Sequence, residues 1–314
     1  MLGSFVAACT VTVEELPLPG ESLRAGAFLM EPGGKGFNLA LAAHRLGAEV
    51  DGLFAVGADL LGDLAEPAFR RAGLDLAMLR RKSAPTGGGV GFIAANGENC
   101  LAVAPGANEA LGAEDVRPLE NAIGAADLCL AQFEIADGPI AEAFAIARAT
   151  GRPTLLNPSP FRPLSDGVLA ATSILCVNAV EAEELAESLG ETAAPGADGA
   201  AGLARRLFDL GLEALVVTRG GEGATVHRAD GPAHVEPAFP VRAVDTLGCG
   251  DAFGAALAVA LAEGRDWPEA MRRAAANGAL TAAAPGVFDA LPTVAALELA
   301  LDGAYAEVVG LGGP

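Results

Sequence analysis

The chain of 314 residues has room for one large α/β domain with an appendage, or for two ordinary domains, and can bury a substantial core. Its 40 acidic against 20 basic residues give a formal charge of −20, which repels nucleic acid and anionic lipid, and no apolar run approaches the roughly 18 residues of a membrane span. Neither partner is expected, and a phosphate ligand has to be held locally, by backbone N–H groups, a metal ion, or both.

The first residues lack the basic segment of a secretory leader, so cytoplasmic residence is expected, and the apolar stretch 5–13 reads as a buried strand. Residues 9–30, with alternating Val11-Thr12-Val13 and the turn Pro17-Leu18-Pro19-Gly20, predict antiparallel strands. So do residues 87–104, around the turn Asn96-Gly97-Glu98-Asn99. A small β element of this kind, set into an α/β body, is a candidate lid. Between the two lies Gly33-Gly34-Lys35-Gly36-Phe37-Asn38, running into a helix that ends at Leu46-Gly47. The glycines allow close backbone approach, Lys35 suits a phosphate and Asn38 a sugar hydroxyl, although Walker spacing is absent and a glycine turn before a helix is often only structural.

From about residue 124 strand-like and helix-like segments alternate. The apolar runs 128–132, 154–157, 174–178 and 214–218 are continuous rather than alternating, which predicts strands buried on both faces in a parallel sheet covered by helices at 140–149, 180–189 and 202–210. Ligands bind beyond the carboxyl ends of such strands, so Gln132 with Glu134, Asn157, Asn178 and Thr218 are candidate site residues, or else turn formers. Asn178-Ala179-Val180-Glu181 suits Mg2+ held through water, or simply caps a helix. Residues 191–199, rich in Ala, Gly and Pro, read as a surface loop. Thr218-Arg219-Gly220-Gly221 is a turn that could hold a nucleotide, without the dinucleotide fingerprint.

The most informative stretch is Val244-Asp245-Thr246-Leu247-Gly248-Cys249-Gly250-Asp251-Ala252-Phe253-Gly254, ahead of a helix-forming run at 255–263. The N–H groups of Gly248, Cys249 and Gly250 at a helix start make an anion site. A carboxylate there competes with a bound anion, so Asp251 is either a general base beside that site or only the N-cap of the helix. His44, His227 and His234 have no metal-ligand spacing and read as structural or surface residues. Cys9, Cys100, Cys129, Cys176 and Cys249, odd in number and scattered, fit no disulfide framework or zinc site and read mostly as small core residues.

Taken in order, these stretches resemble the ribokinase-like (PfkB) family of carbohydrate kinases over nearly the whole chain. One signature runs from Gly33 through Gly47 to Gly57, the other is Asp245-Thr246-x-Gly248-x-Gly250-Asp251. The resemblance implies an α/β fold: an αβα sandwich on a mainly parallel sheet (residues 1–8, 31–86 and 105–314) with a small β-sheet lid (9–30 and 87–104) and a homodimer through that lid. It implies ATP-dependent phosphorylation of a hydroxyl on a small sugar or sugar-like substrate, with Mg2+ and, in potassium-activated members, K+. Asp251 matches the catalytic base, and Gly248, Cys249 and Gly250 the anion hole. Asn178 and Glu181 match groups that handle Mg2+ and phosphate, while Thr218, Gly220 and Asn277 fall on the ATP side. Gly34, Lys35, Asn38 and Glu134 are assigned to the substrate side, and Asp245 with the carbonyls of Ala284 and Gly286 to a monovalent cation.

The chain departs from ribokinases in its first strand, where Val6 and Ala8 stand in place of an Asn and an Asp that grip substrate hydroxyls. This weakens the case for D-ribose; Thr10 or Thr12 could compensate. Cys249 replaces a Gly or Ala, placing a thiol near the phosphates. The competing readings are a nucleoside kinase of the same fold, favoured by Val6, Ala8 and Phe37, and a catalytically silent sugar- or nucleotide-sensing protein, disfavoured by the retained Asp251.

Overall fold

The structure, a computed structural model, describes residues 1–96, 98–191 and 197–304. The chain opens with β1 (Val6–Val13), β2 (Ala27–Gly33), α1 (Lys35–Arg45), β3 (Phe54–Gly57), α2 (Ala65–Ala72), β4 (Leu79–Lys82), β5 (Gly87–Ala94) and β6 (Asn99–Ala104). The alternating part follows: α3 (Ala113–Val116), α4 (Glu120–Ala125), β7 (Cys129–Gln132), α5 (Asp137–Ala149), β8 (Thr154–Asn157), α6 (Asp166–Ala171), β9 (Ile174–Asn178), α7 (Ala179–Ser188), α8 (Ala197–Asp209) and β10 (Ala214–Thr218). It ends with β11 (Ala224–Arg228), β12 (Gly231–Glu236), α9 (Cys249–Ala262), α10 (Trp267–Ala282) and α11 (Val294–Leu299). Among these residues no helix is long and apolar enough to cross a membrane.

The central sheet has the order β12-β11-β10-β9-β8-β7, parallel from β7 to β10, with β11 and β12 antiparallel. Leu2 extends it, bridging in parallel to Ala131 on one side and Leu53 on the other, so the β3–β4 pair continues the layer. Side chains alternate across each strand, and both faces are apolar. Leu130, Leu155, Ile174, Cys176 and Val216 pack into a core with α1, α2, α9 and α10. Ala131, Leu156, Leu175, Val177, Leu215 and Val217 pack on the other face with α5, α7 and α8. The continuous apolar runs therefore had to be central strands, and three layers result.

The second sheet, β2-β1-β5-β6, pairs β1 and β5 in parallel and is otherwise antiparallel. Its strands begin at Val6 and reach Gly33, three residues beyond the expected edges of the lid at 9 and 30. The expectation of a buried first strand fails beyond Ala7: residues 8–12 are half-exposed or exposed, because they belong to this outlying sheet and not to the core. Its four chain crossings lie side by side, with Val6 opposite both Gly33 and Gly87, and Gly88 opposite Ala104. On the core side buried Asn108 clamps Phe5, accepting from its N–H at 3.0 Å and donating to its carbonyl at 2.8 Å.

Two other expectations change. Residues 192–196 of the expected loop at 191–199 lie outside the described residues, but Ala197 to Gly199 already belong to α8. Of the cysteines only Cys129 and Cys176 are buried; Cys100 is exposed and Cys9 and Cys249 are half-buried.

Candidate active site

Gln132, Asn157, Asn178 and Thr218 are the last residues of β7 to β10, so the parallel strands deliver one polar side chain each to the same rim. Asn157 turns its amide to Cys176 O (2.8 Å) and serves the sheet itself. The start of α9 adds the anion site. Gly248 is its N-cap, in the left-handed conformation (φ 75°), and no side chain caps this end. The helix starts at Cys249, six residues before the expected run, so Asp251 is not the N-cap but the third residue of the first turn. There, N–H groups have no intrahelical acceptor and the helix dipole favours negative charge.

Asp251 is only 5 % exposed. Burial holds its carboxyl above the ordinary carboxylate range, against the opposing pull of the Lys35 ammonium and of a hydrogen bond from Asn38. Asn38 Nδ2 donates to Asp251 Oδ2 at 2.8 Å, and Lys35 Nζ lies 4.0 Å from Oδ1. Burial alone depresses the lysine, but Asp251, Glu134 and Glu181 together hold its ammonium above the usual value. The site thus contains a cation that stays charged beside a carboxylate made more basic by its surroundings.

Lys35 and Asn38 reach this place because of how α1 docks. Gly34 has φ 100°, and a Cβ there would lie 2.9 Å from Ser4 O; a Cβ on Gly36 would lie 2.1 Å from Ser4 N. The glycines therefore admit the backbone of residues 3–4, where the sequence suggested room for a ligand. Ser4, which the sequence reading missed, is the hub: its hydroxyl donates to Glu134 Oε2 (2.6 Å) and accepts from Gly36 N (3.1 Å) and Gln132 Nε2 (3.1 Å). Lys35 N donates to the same Glu134 oxygen at 2.8 Å. Glu134 is nearly buried, and desolvation raises its carboxyl against those hydrogen bonds. The only sequence sign of this hub is a small polar residue just ahead of the first strand.

Asn178 and Glu181 form a reciprocal capping box at the start of α7, with both bonds at 2.9 Å, so the structural alternative for this pair is realised. Glu181 is nonetheless close enough to act on Lys35, which ties this helix start to the same site. Thr218 donates weakly to Val177 O (3.4 Å), and Gly220 (φ 53°) opens a short turn. Asn277 lies inside the molecule rather than on an open wall: it is fully buried in α10 and donates to Ala252 O (2.9 Å), and its carbonyl oxygen has no partner among the described residues. Asp245 is brought to the loop after α10, where its Oδ2 accepts from Gly286 N at 3.0 Å and its Oδ1 from Leu247 N at 2.9 Å. Ala284 sits in that loop, with its N–H turned to Thr281 O.

Among the described residues no cluster of three or more His, Cys, Asp or Glu could hold a metal ion. The Cys249 thiol is pushed up to about 11 by burial and by Asp245 and Asp251, so it is protonated at neutral pH. The thiol is the less reactive form of the side chain. A cavity of about 550 Å³ lined by Leu39, Val50, Ile123 and Val259 lies at the amino ends of β3 and β7, and its walls carry none of the candidate site residues.

Comparison with known proteins shows the family and the fold. A family model described as pfkB family carbohydrate kinase matches residues 1–294. The ribokinase of Haemophilus influenzae is 33% identical over 296 residues, covering 93% of this chain and 94% of that protein. Solved structures of ribokinase from Thermotoga maritima (TM-score 0.86, 27% identity, covering 96% of this chain and 98% of that one) and of Arabidopsis thaliana ribokinase complexed with ribose and ATP (TM-score 0.83, 26% identity, 98% and 97%) share the fold. The chain belongs to the pfkB family of carbohydrate kinases and is, with them, a phosphotransferase.

Proposed function

We propose that this carbohydrate kinase transfers the γ-phosphoryl group of ATP to a hydroxyl of a small sugar or sugar-like acceptor, with Asp251 as general base and the amides of Gly248, Cys249 and Gly250 as the anion hole. The observation that carries the reading is the buried, unusually basic Asp251 carboxylate on the opening turn of an uncapped helix. The acceptor O–H gives its proton to Asp251, its oxygen bonds to the γ-phosphorus, and the bond from that phosphorus to the departing ADP oxygen breaks. Lys35 and the opening-turn N–H groups offset the negative charge gathered at the phosphoryl oxygens. Asn38 orients the base, and Glu134 with Gly34 shapes the acceptor side. Thr218 and Gly220 fall on the nucleotide side, and buried Asn277 braces the first turns of α9 behind the anion hole through Ala252 O. Glu181, beside Asn178, would hold Mg2+ through water, and the ion would supply neutralisation of the triphosphate.

ATP and a sugar acceptor are supported by the ribose and ATP complex of the Arabidopsis relative and by the ribokinase similarity. Val6 and Ala8 argue against D-ribose as the preferred sugar. A panel of pentoses, hexoses, deoxy sugars and nucleosides scored by ADP release is expected to show turnover on a sugar. Turnover confined to nucleosides would move the acceptor to that class, and ligand-induced thermal shifts with no ADP release would make the chain a sensor.

Asp245 bound to the 284–286 loop supports a monovalent-cation site formed with the carbonyls of Ala284 and Gly286. Replacing K+ by tetramethylammonium at constant ionic strength is expected to lower kcat; equal rates in both salts would remove the site from the account. The outlying sheet supports a homodimer through the lid, since Phe28, Met30 and Val90 on one of its faces are exposed.

A further inference from the structure

Every candidate site residue above lies on the core or at the start of α1, yet the second sheet turns one face toward the site. In the antiparallel register of β1 and β2, Ala8 stands opposite Glu31 and Val6 opposite Gly33, and paired residues project from the same face. The parallel register of β1 and β5 adds Gly87 and Gly89 to that face. Its core end therefore offers a methyl, an isopropyl group and bare glycines, with Glu31 as the one side chain there able to form a hydrogen bond. Thr10 and Thr12 lie further along β1, away from the core.

The Glu31 carboxylate is directed at the loop after α10: its Oε2 is 3.9 Å from where a Cβ on Gly286 would stand. Gly286 is the residue whose N–H is held by Asp245, at the head of the run that leads to Gly248 and Asp251. Glu31 thus spans from the lid strand to the loop in front of the anion site. It makes no hydrogen bond and no ion pair among the described residues, although it is half-buried. Burial, then Asp289 and Asp245, push its carboxyl upward, against Arg71. That arginine acts on Glu31 through space, while its close contact, at 2.6 Å, is to Asp289. A half-buried carboxylate with no protein donor is free to accept a hydrogen bond from a group outside the chain.

We propose that Glu31 is a specificity-determining residue of this kinase: its carboxylate accepts hydrogen bonds from a hydroxyl or amino group of the acceptor and rejects acceptors that already carry a phosphate. The inference rests on the kinase reading above. Recognition is by charge-assisted hydrogen bonds, and rejection by like charge, since Glu31, Asp245 and Asp289 outnumber the one cation that acts on Glu31, Arg71, whose charge Asp289 already balances. The acceptor class is then an uncharged polyhydroxy or amino-bearing molecule, not a sugar monophosphate.

The test compares the unaltered chain with Glu31→Gln and Glu31→Ala, using the neutral sugar with the highest kcat/KM as probe, together with the monophosphate of that sugar. Glu31 lies on an edge strand, so both variants are expected to fold. Expected is a rise of about ten- to a hundred-fold in KM for the neutral sugar in Glu31→Ala, less in Glu31→Gln, with the KM for ATP unchanged. The monophosphate is expected to gain relative to the neutral sugar in both variants. Calorimetric titration of the neutral sugar into Asp251→Asn, with and without Glu31→Ala, gives the same difference in affinity independently of turnover. Unchanged sugar affinity and unchanged acceptor ranking overturn the role of Glu31. Full activity of Asp251→Asn overturns the base assignment instead, and the two failures are told apart.

Discussion

Replacing Asp251 by Asn is expected to lower kcat by about 10²–10⁴, the range of general-base catalysis, while ATP binding persists. The exchange keeps the shape of the side chain and leaves an amide oxygen to accept from Asn38, so a loss of rate reports chemistry and not a disturbed site. The unaltered enzyme should show the same group in its pH profile. Only ionised Asp251 takes a proton, and burial raises its pKa, so kcat falls as pH drops through a value above the ordinary carboxylate range. Stability should move the other way. A carboxyl whose pKa is raised on folding contributes stability while it is protonated, and that contribution is lost as pH rises through the raised value. Above that value the ionised, buried Asp251 is a burden on the fold, and there Asp251→Asn is expected to melt higher than the unaltered chain. Full activity in the variant, or a lower melting temperature together with lost ATP binding, would count against the assignment.

Gly36→Ala is expected to have the largest effect on stability. The added Cβ would stand 2.1 Å from Ser4 N and 2.3 Å from Gly3 Cα, and both obstacles are backbone, so α1 itself must move. That movement strains the Gly36 N–H bond to the Ser4 hydroxyl and the Phe37 N–H bond to the Ser4 carbonyl (2.9 Å). Overpacking and the weakened bonds together are expected to cost about 3–5 kcal/mol. Lys35 and Asn38 would be carried off with the helix, so activity should fall at temperatures where the variant is still folded. Gly202→Ala in α8 is the control: nothing lies within 4 Å of its Cβ, and the gain in helix propensity is roughly 0.5–1 kcal/mol. Urea unfolding of the two variants should show opposite signs. Equal midpoints would mean that α1 accommodates a methyl group and that the packing account of this motif is wrong.

The central strands were legible because burial on both faces leaves continuous apolar runs, and their polar last residues were legible because those runs stop abruptly. The run from Gly248 to Asp251 announced an anion site, since small residues before a helix leave N–H groups open, although the helix begins earlier than composition indicated. The glycines at 33–36 were visible, but their purpose was not. Whether a missing side chain makes way for a ligand or for another stretch of backbone is a tertiary fact, and here it is residues 3–4 that come close. Ser4 and Glu31 escaped notice for the same reason. A serine before a strand and a glutamate between Met30 and Pro32 carry no periodicity, and they acquire meaning only when the register and Glu134 are known. Asn178 and Glu181 read equally well as cap and as site because the two side chains do cap α7 while Glu181 also lies within electrostatic reach of Lys35.

The way the outlying sheet joins the core has a mechanical consequence. The chain crosses between the two bodies at Val6, Gly33, Gly87 and Ala104, which stand within one residue of a single row across the sheet. Just inside that row the connections are pinned, Phe5 by Asn108 on both sides and Thr86 by Asp59, whose carboxylate accepts from its N–H at 2.8 Å and from its hydroxyl at 2.7 Å. A plate attached along one line has one soft degree of freedom, swinging about that line, whereas sliding or twisting would break the pins. Glu31, two residues outward from the row, would travel only a short arc in such a swing, and the outer ends of the strands a long one.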